Sequence, residues 1–174
     1  MTPMIRAAEV TDANNLAALS IQVWLHTYAK HGLRKALSDY VLAEFTPQRL
    51  AASLADESQV FLVYVENAHL VGYLRLDLNS LSPVNPEARV EIVRLYVQEH
   101  FLGRGIGRSL LEHTYAHCRK HGIPDVWLAV NHENLRAIRF YEQHCFERAG
   151  STLFHLDNEQ HENFIFYKML PPDA

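Results

Sequence analysis

The sequence predicts a single domain of the α/β (α+β) class, in which a mixed β-sheet carries helices on its faces. Three observations lead to this class. The 174 residues have the length of one domain, so residues 1–174 are expected to fold together. Apolar residues make up 48% of the chain, which is enough for a sizeable core. Hydrophobic periodicity predicts the element order βααβββαβαββ.

The first half of the chain contains a helical region between strands. The predicted elements are, in order, a strand at 4–8, helices at 12–30 and 36–55, and strands at 60–65 and 70–78. Thr11 or Asp12 is expected to cap the first helix, and Gly32 to end it. Pro47 breaks the second helical region, because Thr46-Pro47 has the form of an N-cap followed by proline at the first helical position.

The second half alternates strands and helices. The predicted elements are a loop at 79–86, strands at 89–97 and 126–130, helices at 104–121 and 133–144, and strands at 146–156 and 163–170. The continuous apolar run at 60–65 is typical of a strand covered on both faces, whereas residues 70–78 alternate with the period of a strand.

Composition excludes several classes of function. Lys and Arg number 16 against 20 Asp and Glu, a formal charge of −4, whereas a nucleic-acid binder is usually basic. No apolar run approaches the roughly 20 residues of a membrane helix, and the N-terminus lacks a signal layout. The two cysteines, Cys118 and Cys145, lack metal-ligand spacing. We therefore expect a reduced, cytoplasmic protein that binds neither nucleic acid nor membrane, with both monomer and homodimer left open.

A glycine-rich segment joins strand 89–97 to helix 104–121. It reads Leu102-Gly103-Arg104-Gly105-Ile106-Gly107-Arg108. Glycines at alternate positions let successive backbone N–H groups converge, and the positive end of the following helix adds to their attraction for a phosphate. Arg104 and Arg108 are expected to add positive charge at the rim of this loop.

Two common nucleotide motifs do not fit this segment. A dinucleotide fingerprint needs Gly or Ala at its sixth position, where this chain has Arg108, and it normally follows the first strand. A P-loop needs Gly-Lys-Ser/Thr, and the chain has no Gly-Lys pair. The residues leave two interpretations open: a loop for the pyrophosphate of an acyl-CoA, or a glycine-rich helix entry without a ligand.

Three motifs, in order and spacing, resemble the GNAT superfamily of acetyl-CoA-dependent N-acetyltransferases. The first is Glu91-Ile92-Val93-Arg94-Leu95-Tyr96-Val97, similar to the family's Glu-x-x-x-Leu-Tyr-Val strand. The second is the loop at 102–107, and the third is Asn134-Leu135-Arg136-Ala137-Ile138-Arg139-Phe140-Tyr141. The resemblance covers roughly residues 4 to 170. Leu102 departs from the family's Gln or Arg, which is expected to weaken cofactor binding without abolishing it.

The resemblance implies a mostly antiparallel sheet of about seven strands and a site for acetyl-CoA. Its two central strands, at 89–97 and 126–130, are expected to splay apart and hold the pantetheine arm against the backbone of Leu95, Tyr96 and Val97. The pyrophosphate is expected at the loop, and the side chains of Asn134 and Tyr141 in the cofactor groove. The implied cofactor-binding residues are Leu95, Tyr96, Val97, Leu102, Gly103, Arg104, Gly105, Ile106, Gly107, Arg108, Asn134 and Tyr141.

The resemblance also implies two catalytic residues. An alkylamine with a pKa of ~10.4 is only about one part in 10³ neutral near pH 7, so a general base assists its attack on the thioester. Glu91 is the implied base, either directly or through water. Tyr141 is the implied proton donor to the departing thiolate.

Each of these residues also has a structural interpretation. Tyr141 could be a core aromatic residue, Glu91 could pair with Arg89 or Arg94, and Asn134 could cap its helix. The spacing of His113, His117 and His121 resembles a row of metal ligands, but no partner carboxylate accompanies it, and we expect no metal.

Taken together, the sequence indicates transfer of an acetyl group from acetyl-CoA to a primary amine. The bacterial branch that acetylates polyamines is the most similar, through the first helix and the C-terminal hairpin. Acidic residues near the variable loops favour a cationic acceptor, namely Glu87, Asp157, Glu159 and Glu162. The alternatives are acetylation of a protein N-terminus, a lysine or an antibiotic amine, and a non-catalytic acyl-CoA-binding module.

Overall fold

A computed structural model describes residues 2–172, which contain seven strands and five α-helices. The strands β1 to β7 are Met4–Ala7, Gln59–Glu66, His69–Asp77, Glu91–Val97, Asp125–Asn131, Glu147–Leu156 and Glu159–Met169. The helices α1 to α5 are Ala13–Tyr28, Lys35–Glu44, Pro47–Ala55, Ile106–Lys120 and Leu135–Gln143. The predicted element order is confirmed, with the region at 36–55 divided into two helices at Thr46.

The strands form one mixed, mostly antiparallel sheet in the order β1-β2-β3-β4-β5-β7-β6. β4 and β5 are parallel, with Glu91 opposite Trp127, and β7 pairs antiparallel with both β5 and β6. A helical crossover, α4, joins the parallel strands, as parallel pairing requires. This architecture confirms the predicted fold class.

Backbone contacts divide the chain into two compact units. One contains the residues up to Arg75 together with Arg94–Thr114, and the other contains Leu76–Val93 together with the residues from Tyr115 onward. Each unit is described by itself below. The expectation that 1–174 form a single domain stays a prediction.

The core of the first unit lies between α1, α3 and the strands β2 and β3. Leu16, Leu50, Val63 and Tyr73 are at most 1% exposed. α1 presents its apolar positions at helical spacing, and β2 and β3 cover them with alternate residues. Tyr96 of β4 packs against the same cluster, so the strand predicted to hold the cofactor rests on the core of this unit.

In the second unit, the residues of β7 alternate between two apolar environments. Ile165 packs with Ala88 and Trp127, whereas the neighbouring Phe166 packs against the Tyr141 ring of α5, with 6.5 Å between ring centroids. This alternation is the period of a strand covered on both faces. The fold therefore buries Tyr141 through β7.

Helix boundaries differ from the predictions at several ends. α1 begins at Ala13 because residues Val10–Asp12 form a 3₁₀ turn, and the Asp12 carboxylate accepts the Glu9 N–H instead of capping α1. α1 ends at Tyr28, four residues before Gly32, which has a φ of 98°. The N-cap at Thr46 is confirmed, since its side chain accepts the Arg49 N–H at 3.2 Å.

Candidate active site

The glycine loop has the conformation that its sequence predicts at two of its three glycines. Gly103 and Gly105 have φ of 77° and 78°, in the left-handed region that side chains disfavour. A Cβ at either position would meet nothing within 4 Å, so these glycines are required by backbone conformation, and the space beside them is open. Gly107 instead lies in the first turn of α4, which begins at Ile106 and not at Arg104.

The first turn of α4 and the loop before it can receive an anion. The first N–H groups of a helix have no partners within that helix, and they point towards the preceding loop. At the opposite end, α4 carries His117, Arg119 and Lys120 near its negative pole. These features match the acyl-CoA pyrophosphate loop expected from the sequence.

The two arginines of the loop already pair with carboxylates. Arg104 donates twice to Glu66, at 2.8 and 3.1 Å, and its guanidinium lies 5.1 Å from the centre of the Phe101 ring. Arg108 donates to Glu112 one turn further along α4, at 2.8 Å. Both side chains are exposed, so either can exchange its carboxylate for a phosphate at modest cost.

The segment Leu95–Val97 forms the end of β4, and only Tyr96 among its side chains has described ring contacts. Its ring lies edge-on to Tyr73 and Phe45, with centroids 5.7 and 6.5 Å away. Burial raises the pKa of the Tyr96 hydroxyl, so this phenol stays protonated across the physiological range. The ring of Tyr96 thus contributes packing, and binding of the cofactor by the backbone of this segment stays a prediction.

A buried charged group next to this segment was not predicted from the sequence. The Arg94 side chain is 9% exposed and donates to Glu44 at the end of α2, at 2.9 Å. Its guanidinium lies 4.7 Å from the centre of the Phe45 ring. The signal was present in the sequence, because Arg94 stood between the apolar residues Val93 and Leu95 in the middle of a predicted strand.

Glu91, the implied general base, is the first residue of β4. Its carboxylate accepts a hydrogen bond from the Ser80 hydroxyl at 2.6 Å. Ser80 in turn accepts the Trp127 indole N–H through its carbonyl, at 2.8 Å, and donates its own N–H to the Arg89 carbonyl. Ser80 lay in a segment predicted only as a loop, so its role in orienting Glu91 was missed.

The structural interpretations of Tyr141 and Asn134 are both seen. Tyr141 is 8% exposed, and its ring lies 5.4 Å from the Phe140 and Phe146 rings, as expected of a core aromatic residue. Asn134 is the N-cap of α5, since its side-chain oxygen accepts the Ala137 N–H at 3.2 Å. The expectation that both residues lie within one helix is therefore wrong for Asn134, although capping leaves its amide N–H₂ available for other partners.

The predicted site residues are divided between the two units. Residues 95–97 and the loop at 102–108 are consecutive parts of the first unit, joined by Gln98 and the short 3₁₀ turn Glu99–Phe101. Glu91, Asn134 and Tyr141 belong to the second unit.

The histidine row on α4 is held by its own helix. The Nδ1 atoms of His113 and His121 lie within 2.9 Å of carbonyl oxygens one turn earlier, and the His117 and His121 rings stack 4.2 Å apart. Within residues 2–172, no group of three or more metal-ligating side chains could hold an ion. In the same range, every helix is too short or too polar to traverse a bilayer.

The chain is similar to known N-acetyltransferases along most of its length. An uncharacterized N-acetyltransferase of Lactobacillus delbrueckii is 24% identical, over 91% of this chain and 92% of that protein. A spermidine N(1)-acetyltransferase of Thermoplasma acidophilum is 21% identical, over 84% and 89%. The crystal structure of PaiA N-acetyltransferase from the same organism, in complex with coenzyme A, has the same fold, with a TM-score of 0.76 at 21% identity over 97% and 99% of the two chains.

The sequence profile of the acetyltransferase (GNAT) family matches residues 11–146. Members of this family use acetyl-CoA, and the matched range contains β4, the glycine loop, Asn134 and Tyr141. Because the match covers well over half of the chain, this protein belongs to the GNAT family and is an N-acetyltransferase, an acyltransferase.

Proposed function

We propose that this enzyme transfers the acetyl group of acetyl-CoA to a primary amine of a small cationic molecule such as a polyamine. The observation that carries the cofactor assignment is the pair of left-handed glycines, Gly103 and Gly105, directly before α4. The acceptor assignment is supported by the similarity to a spermidine acetyltransferase and by the formal charge of −4.

In this proposal the loop and the start of α4 hold the pyrophosphate through backbone N–H groups. Arg104 and Arg108 release Glu66 and Glu112 to reach the same phosphates. The backbone of Leu95–Val97 binds the pantetheine arm, and Asn134 and Tyr141 contact the acyl end. Leu102, where relatives have Gln or Arg, contributes only its backbone.

The reaction is a direct transfer in one displacement. The amine nitrogen attacks the thioester carbonyl carbon, the carbon–sulfur bond breaks, and an amide and coenzyme A are formed. Glu91, oriented by Ser80, accepts the proton lost by the amine. Tyr141 donates a proton to the thiolate, and its buried ring holds the hydroxyl in one orientation.

Proton transfer to Glu91 proceeds through water in this proposal. Glu91 and Leu95 are four residues apart on an extended strand, which corresponds to about 13 Å. We propose water as the relay because direct proton transfer needs about 3 Å between heavy atoms. A short chain of water molecules can bridge the gap.

The test combines ligand binding with turnover. Thermal unfolding with acetyl-CoA, NAD or ATP is expected to show stabilisation by acetyl-CoA alone, and an amine panel that follows free CoA release is expected to show turnover. Gly105→Val should abolish the acetyl-CoA shift, because a β-branched residue disfavours the left-handed backbone. Gly122→Val is the matched control, since Gly122 has a φ of 68° and lies after the far end of α4.

Stabilisation by NAD or ATP alone would contradict the cofactor assignment. Binding of acetyl-CoA without CoA release for any amine would favour the non-catalytic module. Turnover that occurs only with protein N-termini, or only with neutral amines, would contradict the acceptor assignment.

A further inference from the structure

Gly72, in the middle of β3, leaves no room for a side chain. A Cβ at this position would lie 2.9 Å from the carbonyl oxygen of Tyr96 and 3.4 Å from Cγ2 of both Val97 and Ile106. Gly72 is not among the glycines with positive φ, so its backbone conformation is open to any residue. The position therefore needs glycine for space, because the nearest atom belongs to backbone that cannot rotate away.

All three contacts belong to the segments that the proposed function assigns to acetyl-CoA. Tyr96 and Val97 form the end of β4, and Ile106 is the first residue of α4. The space left by the missing Cβ of Gly72 thus borders both the end of β4 and the start of α4. Val97 and Ile106, at these two places, are nine residues apart in sequence. The size of the residue at position 72 therefore determines how closely β3 approaches the end of β4 and the start of α4.

A hydrogen bond holds the two strands together directly beside this point. The Gln98 N–H, just after the end of β4, donates to the Val71 carbonyl of β3 at 2.9 Å. Val71 precedes Gly72, so the close approach at Gly72 lies next to a backbone contact between β3 and the end of β4.

We propose that Gly72 is a positioning residue for acetyl-CoA. By lacking a Cβ, it lets β3 approach the Tyr96 carbonyl, and it thereby holds the end of β4 and the first turn of α4 in the arrangement that binds the cofactor. This inference rests on the proposed function, because it gives residues 95–97 and 102–108 the role of binding acetyl-CoA.

The experiment compares Gly72→Ala with Gly150→Ala. Gly150 on β6 is the matched control, because a Cβ there would also be too close to a neighbour, 2.7 Å from Val84 Cγ1, but it lies in the other unit. Isothermal titration with CoA measures the dissociation constant, and steady-state kinetics measures KM for acetyl-CoA and for the amine. Gly72→Ala is expected to raise the dissociation constant for CoA and the KM for acetyl-CoA at least about fivefold. Gly150→Ala should leave these two constants within about twofold of the wild-type values.

A purely structural role for Gly72 predicts lower thermal stability with an unchanged dissociation constant for CoA, and that result would overturn the proposal. A uniform rise in KM for acetyl-CoA and for the amine would also overturn it. Wild-type enzyme that does not bind CoA would overturn the proposed function, and this inference with it.

A second measurement covers the case in which Gly72→Ala does not fold. Amide hydrogen exchange of the wild-type enzyme, with and without CoA, is expected to show slower exchange at residues 70–73 and 95–98 when CoA is bound, with no change around Gly150. Protection at 95–98 without protection at 70–73 would separate Gly72 from cofactor binding and overturn the inference.

Discussion

At the scale of single residues, Tyr141 combines packing and proposed chemistry in one side chain. Its ring is enclosed by Phe140, Phe146 and Phe166, and it is 8% exposed. A phenol has a reference pKa of ~10, above the ~8.5 of a thiol, so it is protonated when the thiolate forms. Packing and proton donation are therefore compatible, and a substitution that keeps the ring separates them.

Tyr141→Phe is expected to lower kcat by roughly 10²-fold while folding and acetyl-CoA affinity survive, because only the proton donor is lost. Stopped-flow measurement of the chemical step gives the comparison. Aryl thioesters, whose thiolates are less basic, should reduce the defect of the variant. Wild-type turnover by the variant, with chemistry limiting the rate, would remove Tyr141 from the mechanism.

Asp12 joins β1 to the turn before α1. Its side chain is 9% exposed and accepts two hydrogen bonds from Arg6, at 2.7 and 3.0 Å, and one from the Glu9 N–H. The Arg6 hydrogen bond is the main reason why the pKa of Asp12 lies below its usual value. A pKa that is lower in the folded state stabilises the protein above the unfolded-state pKa of ~3.9, and this contribution is lost as pH falls through the folded-state pKa.

Asp12→Asn is therefore expected to lower the free energy of unfolding by about 1–3 kcal/mol near neutral pH. The deficit should shrink progressively as pH falls below about 4, because the wild-type carboxylate becomes protonated too. Urea unfolding of the wild type and the variant at a series of pH values measures this deficit in the free energy of unfolding. Asp39→Asn is the control, since Asp39 pairs with Lys35 on an exposed face, and its deficit should stay below about 1 kcal/mol. A deficit for Asp12→Asn that does not change with pH would contradict the electrostatic explanation.

At the scale of secondary-structure elements, one ion pair joins β4 to α2, and one hydroxyl pair joins β3 to α1. Arg94 of β4 donates to Glu44 of α2, and the Tyr73 hydroxyl of β3 lies 2.6 Å from the Ser20 hydroxyl of α1. Arg49 shares the same Glu44 carboxylate, at 3.4 Å. Burying a guanidinium costs desolvation energy. Removing one of its polar partners therefore destabilises the protein more than removing a partner from an exposed ion pair.

Glu44→Gln is expected to destabilise the protein by about 2–3 kcal/mol, because Arg94 is left buried without a charged partner. The double variant Arg94→Met and Glu44→Leu should recover most of that loss, since apolar residues of similar volume often replace a buried pair without cost. Urea unfolding of Arg94→Met, Glu44→Leu and the double variant, each against wild type, completes a double-mutant cycle. Additive losses would show that the two side chains act independently.

At the scale of the whole molecule, charge is the property most closely related to the proposed acceptor. The formal charge of −4 attracts cations, and Glu159 and Glu162 lie on β7 with Asp157 in the turn before it. Glu159 also contacts the His161 ring at 3.0 Å.

The value of kcat/KM for spermidine is expected to fall as salt rises from about 0.05 M to about 0.5 M, because screening weakens long-range attraction. An amine with a single positive charge, such as a hydroxyalkylamine, should show a much smaller dependence than the multiply charged spermidine. Faster reaction of neutral or anionic amines, or no effect of salt on spermidine, would contradict the electrostatic argument for the acceptor.

Local sequence was sufficient for the element order and for the glycine loop. The turn at Asn67-Ala68 adopts positive φ at both residues, 51° and 64°, as a two-residue hairpin requires. Gly103 and Gly105 were identified because their conformation is a property of a few consecutive residues. Helix ends were less accurate, since Asp12 bonds to Arg6 of β1 and not to α1, a choice that depends on tertiary contact.

The sequence by itself determined the fold class and the family, because periodicity, glycine placement and motif spacing are all written along the chain. Only the tertiary structure decided which partners surround the proposed chemical groups. Ser80 reaches Glu91 from 11 positions away, Glu44 reaches Arg94 from 50, and the space at Gly72 is closed by Tyr96. Such contacts depend on how strands are ordered and on which face each side chain occupies, and no local pattern encodes distances between segments that are remote in sequence.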